Sequence, residues 1–126
     1  MKFIIDTHAL IWWLNGRPLL SARAKTTLAN PRNEIVISAV SHYEIAFKAA
    51  IGKLDDDLVV ALPLLLRQER FQGLDVTPEV ALAAGRLPPI HRDPWDRIIA
   101  MQSMTSGWPV ITSDLAISEL GAKTVW

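Results

Sequence analysis

The chain has 126 residues, half of them hydrophobic and 21% charged, which suits one domain with a buried core and excludes a disordered segment. It contains no cysteine, so disulfides, zinc–thiolate and iron–sulfur sites and a cysteine nucleophile are excluded. Thirteen basic residues balance thirteen acidic ones, so any attraction to nucleic acid is local. No apolar run approaches the roughly 20 residues of a membrane span, and the opening MKFIID is too short for a signal peptide. A cytoplasmic, non-membrane protein is expected.

Phe3-Ile4-Ile5, stopped by Asp6-Thr7, has the pattern of a buried parallel strand ending at a helix cap. Leu10 to Leu14 predicts a short helix closed by Asn15-Gly16, Ser21 to Leu28 another, and Ile35-Val36-Ile37 a strand ending in Ser38. In SHYEIAFKAAIGK, Ser41 stands at a cap position, Glu44 completes a capping box and Gly52 marks the end. Apolar residues almost all round this helix predict packing on several sides. Asp55-Asp56-Asp57 reads as a solvated helix start before residues 58–70, where Pro63 kinks one helix or opens a second. Leu74-Asp75-Val76 is a strand candidate, Thr77-Pro78-Glu79 opens a helix fading at Gly85, and residues 87–89 are loop. Asp93 as cap and Pro94 at the first helical position begin the next helix. Residues 109–112 predict a strand, Ser113-Asp114 a cap, 115–120 a short helix and 123–126 a last strand. No repeat or linker interrupts 1–126, and the alternation of strands and helices predicts one α/β domain with a parallel sheet between helix layers. Ligands of such sheets sit beyond the carboxyl ends of the strands.

Asp6 and Asp114 each follow a predicted strand and so fall at that rim, although an aspartate at a strand-to-helix junction also serves as a cap. Glu44 precedes Lys48 by four positions, the favourable orientation for a helical ion pair, yet a carboxylate on a packed helix needs a compensating cation, either Lys48 or a metal ion. Asp93 is accounted for as a cap, whereas Asp96 projects from the first turn toward the strand ends. Acids placed separately at helix starts over one sheet edge make an all-oxygen ligand set suited to Mg²⁺ or Mn²⁺. His8, His42 and His91 lack zinc-site spacing and are assigned as hydrogen-bonding partners. The five tryptophans are core or interface residues, with base stacking an option for Trp95 alone.

Four segments, FIIDTHALIWWL, SAVSHYEIAFKAAIGKL, LPPIHRDPWDRIIAMQS and VITSD, together give the chain a resemblance to PIN-domain ribonucleases, in the branch of VapC-type toxins of bacterial toxin–antitoxin pairs. The resemblance runs nearly end to end. It implies a three-layer α/β/α sandwich with a central parallel sheet, and an acidic quartet at Asp6, Glu44, Asp96 and Asp114. It also implies a small hydroxyl residue near the metal, at Thr112 or Ser41, divalent-metal-dependent cleavage of RNA, a homodimer, and neutralisation by a cognate antitoxin protein. One departure is His42-Tyr43, where relatives often carry Trp before the Glu; Tyr43 keeps the aromatic character.

The chemistry such acids allow is metal-assisted phosphodiester hydrolysis, with water attacking in place of the 2′-hydroxyl, so products carry 5′-phosphate and 3′-hydroxyl ends. Arg92, Arg97, Lys48 and Lys53 are the cations available to flanking phosphates. A phosphatase would want a DxD pair where this chain has Asp6-Thr7-His8, and a non-catalytic interaction module would use the acids only as caps. DNA as a substrate stays open. The apolar excess of Ile11, Trp12, Trp13 and Leu58 to Leu66 predicts an interface.

Overall fold

A computed structural model describes residues 1–16 and 18–126. The first strand, β1 (Lys2–Ile5), is the centre of a five-stranded parallel sheet. On one side of it lie β2 (Glu34–Ser38) and β3 (Gln72–Leu74), and on the other β4 (Val110–Ile111) and β5 (Thr124–Val125), giving the order β3-β2-β1-β4-β5. Ile5 pairs with Ile37 of β2 and with Ile111 of β4. The strand order therefore reverses at β1 and β4, and the carboxyl ends of these neighbours carry Asp6 and Thr112. Open parallel sheets bind ligands at such a reversal.

Alternation along β1 makes the two cores. Phe3 and Ile5 point to one face and Ile4 to the other. The first core adds Leu10 and Ile11 of α1 (Thr7–Leu14), Ala24 and Leu28 of α2 (Ala22–Ala29), Ile45 of α3 (Ala39–Ala50), and Leu62 and Leu66 of α4 (Asp56–Gln68). The second joins Ile4, Val36 and Val110 to Ile99 and Ala100 of α6 (Pro94–Ser106) and Ile117 of α7 (Leu115–Glu119). The sheet is thus sandwiched between helix layers, as expected. The remaining helix, α5 (Pro78–Gly85), packs on α6.

Local chemistry explains most boundaries. Asp6, Ser21, Asp55, Thr77, Asp93 and Asp114 each accept a backbone N–H from the helix that follows. Gly107 ends α6 at φ 78°, in the left-handed region that favours glycine. Two expectations need correction and one choice is settled. The helix expected from Ser41 starts at Ala39, directly off β2, because Ser38 supplies the cap; Ser41 and Glu44 are therefore not a capping box. Of the two alternatives at Pro63 the single helix holds, since Asp56–Gln68 is continuous, with the proline on an exposed face. The third strand is Gln72–Leu74, two residues earlier than the sequence suggested.

The apolar surplus is smaller than expected. Ile11, Leu62 and Leu66 are buried, and Trp12, Trp13, Leu58 and Val59 pack against the first core. What remains exposed on α4 is Val60 and Leu64, a pair one turn apart. No described helix is long and apolar enough to cross a membrane.

Candidate active site

Asp6 caps α1 with one oxygen and uses the other to join the next strand. Its Oδ1 accepts the Ala9 amide at 2.7 Å, and its Oδ2 accepts the Thr112 hydroxyl. Thr112 Oγ1 in turn accepts the Asp114 amide at 2.9 Å, so one buried hydroxyl aligns the acids that follow β1 and β4. Next to Asp6, Thr7 donates to Ser41 Oγ at 2.9 Å and ties the start of α1 to α3. Both hydroxyl residues implied by the resemblance are thus close to Asp6, but only Thr112 touches it.

Asp6 is 5% exposed. Burial raises its pKa above the ordinary carboxylate value, Asp114 pushes in the same direction, and the hydrogen bonds from Thr112 and Ala9 with the charge of His8 partly oppose this. Asp96, on the first turn of α6, is pushed up to about 8, first by burial and then by the charges of Asp93, Asp114 and Asp6 and a hydrogen bond to Asp114. Asp6, Asp96 and Asp114 therefore form one repelling group drawn from α1, α6 and α7. Asp93 remains the cap of α6, accepting the Trp95 amide at 2.9 Å, as the sequence indicated.

Glu44 stands apart from that trio. It is buried, and Lys48 Nζ lies 2.6 Å from its Oε2, forming the expected ion pair. The same ammonium is 3.4 Å from His8 Nε2, which brings Glu44 to the α1 side of the rim. Among the described residues no three His, Asp or Glu side chains converge at ligand distance, since Asp96 turns to Asp114 and Glu44 to Lys48. The donor set nevertheless fits a hard divalent cation: it is made of carboxylate oxygens, and burial followed by neighbouring charge disfavours ionised Asp6 and Asp96 in a way such a cation would offset.

Arg97 is not available to a phosphate. Its guanidinium donates to five carbonyl oxygens, those of Ala84, Gly85, Leu87, Pro88 and His91, at 2.6 to 3.3 Å. It closes the end of α5 and fixes the loop leading to Asp93. Lys48 is committed to Glu44, whereas Arg92 and Lys53 are exposed. His91 bonds Glu119 at 2.5 Å and His42 bonds the Ser38 carbonyl at 3.1 Å, so both act as hydrogen-bonding partners.

Sequence reasoning missed the surface of α3. Tyr43 and Phe47 are 61% and 41% exposed, so this helix is not packed on all sides. Their rings lie 6.1 Å apart and nearly parallel, and Trp95 sits 6.3 and 6.0 Å from them. The four-residue spacing of Tyr43 and Phe47 was the available signal. Trp12 packs edge-on against Trp126, and Trp108 lies beneath Lys2 Nζ, as structural tryptophans do.

The PIN domain model matches residues 3–123, so the chain belongs to the PIN-domain family. It is similar to ribonuclease VapC22 of Mycobacterium tuberculosis, 29% identical over 116 residues covering 88% of this chain and 85% of that protein. Its fold resembles that of VapBC2 from Rickettsia felis, solved bound to a promoter DNA fragment, at TM-score 0.76 and 16% identity over 99% of this chain and 98% of the other. It is also similar to VapC20 of M. tuberculosis, described as a toxin cleaving the sarcin–ricin loop, at TM-score 0.72 and 15% identity over 95% of each chain.

Proposed function

We propose that the chain, as one PIN domain over 1–126, is a divalent-metal-dependent ribonuclease and the toxin of a toxin–antitoxin pair. The observation that carries this reading is the crowding of Asp6, Asp96 and Asp114 where the strand order reverses, with Glu44 at the margin. Kinship with a ribonuclease at 29% identity supports RNA as the substrate. Asp6, Asp96 and Asp114, with Glu44 once released from Lys48, would hold Mg²⁺ or Mn²⁺. Such an ion lowers the pKa of water and offsets charge on a phosphodiester under attack. The chain's own part is to hold these carboxylates in place: Thr112 fixes Asp6, the Asp93 cap and Arg97 clamp fix the start of α6, and the short α7 presents Asp114.

A homodimer and a cognate antitoxin partner belong to the same reading. Structural neighbours solved as VapBC complexes support the antitoxin, and exposed Val60 and Leu64 offer an apolar contact. The expected location is the cytoplasm. The test is incubation of purified protein with total RNA, with and without Mg²⁺ or Mn²⁺, followed by mapping of the ends. Metal-dependent products with 5′-phosphate ends are expected; metal-independent cleavage or 2′,3′-cyclic ends would reject the hydrolytic reading.

A further inference from the structure

Asp96 and Asp114 stand at the starts of α6 and α7, and their carboxyls share a hydrogen bond. Their separation therefore depends on how these two helices are held against each other. The start of α6 is fixed by the Asp93 cap and the Arg97 clamp. Less holds α7, which is five residues long and has Ile117 as its one buried side chain. A helix so short takes its direction from tertiary contacts. At its first end Asp114 is pinned to the end of β4 through Thr112. At its last residue, Glu119 Oε2 meets Nε2 of His91, 28 positions earlier in the chain, at 2.5 Å. An acid there does nothing for the helix itself, because the dipole favours a cation at the carboxyl end. The His91 carbonyl accepts from Arg97 at 2.9 Å, and Arg97 directly follows Asp96. A continuous link thus runs from Asp96 through Arg97, His91 and Glu119 to the helix that Asp114 begins. The side chains of the pair are 28% and 55% exposed, a setting in which ion pairs add little stability.

We propose that His91 and Glu119 are a positioning pair: by tying the loop before α6 to the far end of α7, they set the gap between Asp96 and Asp114 that a divalent cation would occupy. This deepens the metal-dependent ribonuclease reading and rests on it. Neither side chain is a ligand or meets RNA; both act through the helices that carry the acids. Groups that fix ligands from behind govern metal affinity more than they govern the stability of the fold. The contact also makes a specific demand on residue 91. Glutamine places an N–H donor near the position of Nε2, whereas asparagine reaches only as far as Nδ1.

The test reads metal binding apart from cleavage. The full metal-free chain is titrated with Mn²⁺, and free Mn²⁺ is followed by electron paramagnetic resonance. His91→Asn and Glu119→Ala should each weaken binding about tenfold at melting temperatures close to wild type, and the double variant should lose no more than either alone. His91→Gln and Glu119→Gln should recover most of the affinity. On RNA at limiting Mn²⁺, His91→Asn should lower kcat and leave KM unchanged. Unchanged Mn²⁺ affinity in His91→Asn and Glu119→Ala, equal weakening by His91→Gln, or losses that add in the double variant overturn the pair. So does a raised KM at constant kcat, which makes His91 an RNA contact, or a loss of affinity that tracks a lowered melting temperature, which makes the pair structural. Weakened Mn²⁺ binding in the variants of a wild type that cleaves no RNA rejects the ribonuclease reading alone. Normal metal-dependent cleavage by His91→Asn at the same Mn²⁺ concentration rejects the pair alone.

Discussion

Thr112 donates its hydroxyl to Asp6 across 106 positions of chain and accepts the amide of Asp114. One side chain thereby sets both the spacing of β1 and β4 at their ends and the direction in which two acids point. Thr112→Val keeps the volume and removes the link. It should lower cleavage more than tenfold and raise the pKa of Asp6 further, because a hydrogen bond that favours the charged form is gone. NMR titration of the Asp6 carboxyl checks this, and an unshifted Asp6 would dismiss the link.

Asp6→Asn, Asp96→Asn and Asp114→Asn should each abolish RNA cleavage and leave the metal-free fold intact or slightly more stable. Asparagine retains the capping oxygen, and each change removes one member of a repelling group. Melting temperature and a gel-based cleavage assay together check the prediction. Near wild-type activity in any variant removes that residue from the assignment.

The raised pKa of Asp96, from an ordinary 3.8 to about 8, makes the metal-free fold lose stability with rising pH. Between those values the unfolded chain has released the proton and the folded protein still holds it. The stabilising contribution is complete below about pH 4 and disappears as pH passes 8. Added Mg²⁺ should therefore raise the melting temperature more at pH 8 than at pH 5, because protons compete for the same oxygens. Equal shifts at the two pH values would contradict a shared site.

Glu44→Gln should cost about 1 to 2 kcal/mol in urea unfolding, since the ion pair with Lys48 is reduced to a hydrogen bond from a single charged partner. Activity should disappear with the fold preserved. A variant that fails to fold would assign Glu44 to the ion pair alone.

Arg97→Ala should destabilise by about 2 to 3 kcal/mol, as five carbonyl oxygens lose a charged donor, and Arg97→Lys should recover little because one ammonium cannot span them. Hydrogen exchange should quicken first in residues 84–92.

Much of the fold was legible because short β-branched runs alternate with capped helices, and the cap at Asp6 marks both the end of β1 and a candidate acid. The register of caps was less so. Ser38 and Ser41 are equally good caps on paper, and the choice falls to Ser38 because Thr7, distant in sequence, takes Ser41 as a partner. Arg97 looked like a phosphate ligand because nothing local announces that a loop will turn five carbonyls toward it. Asp6 and Asp114 followed from strand ends and Asp96 from the first turn of its helix, and the four-residue spacing offered the Glu44–Lys48 pair as one of two compensating cations.

The sheet order has a consequence for when the molecule becomes active. The strand that completes the surroundings of Asp6 is β4, and because Thr112 lies 106 positions further along the chain, all of that stretch must be synthesised before the two can meet. A nascent chain therefore holds an isolated Asp6 carboxylate until β4 is made, and acquires the acidic group only when β4 pairs with β1 and α7 follows it. A ribonuclease site built in this order cannot assemble on a chain that stops before β4.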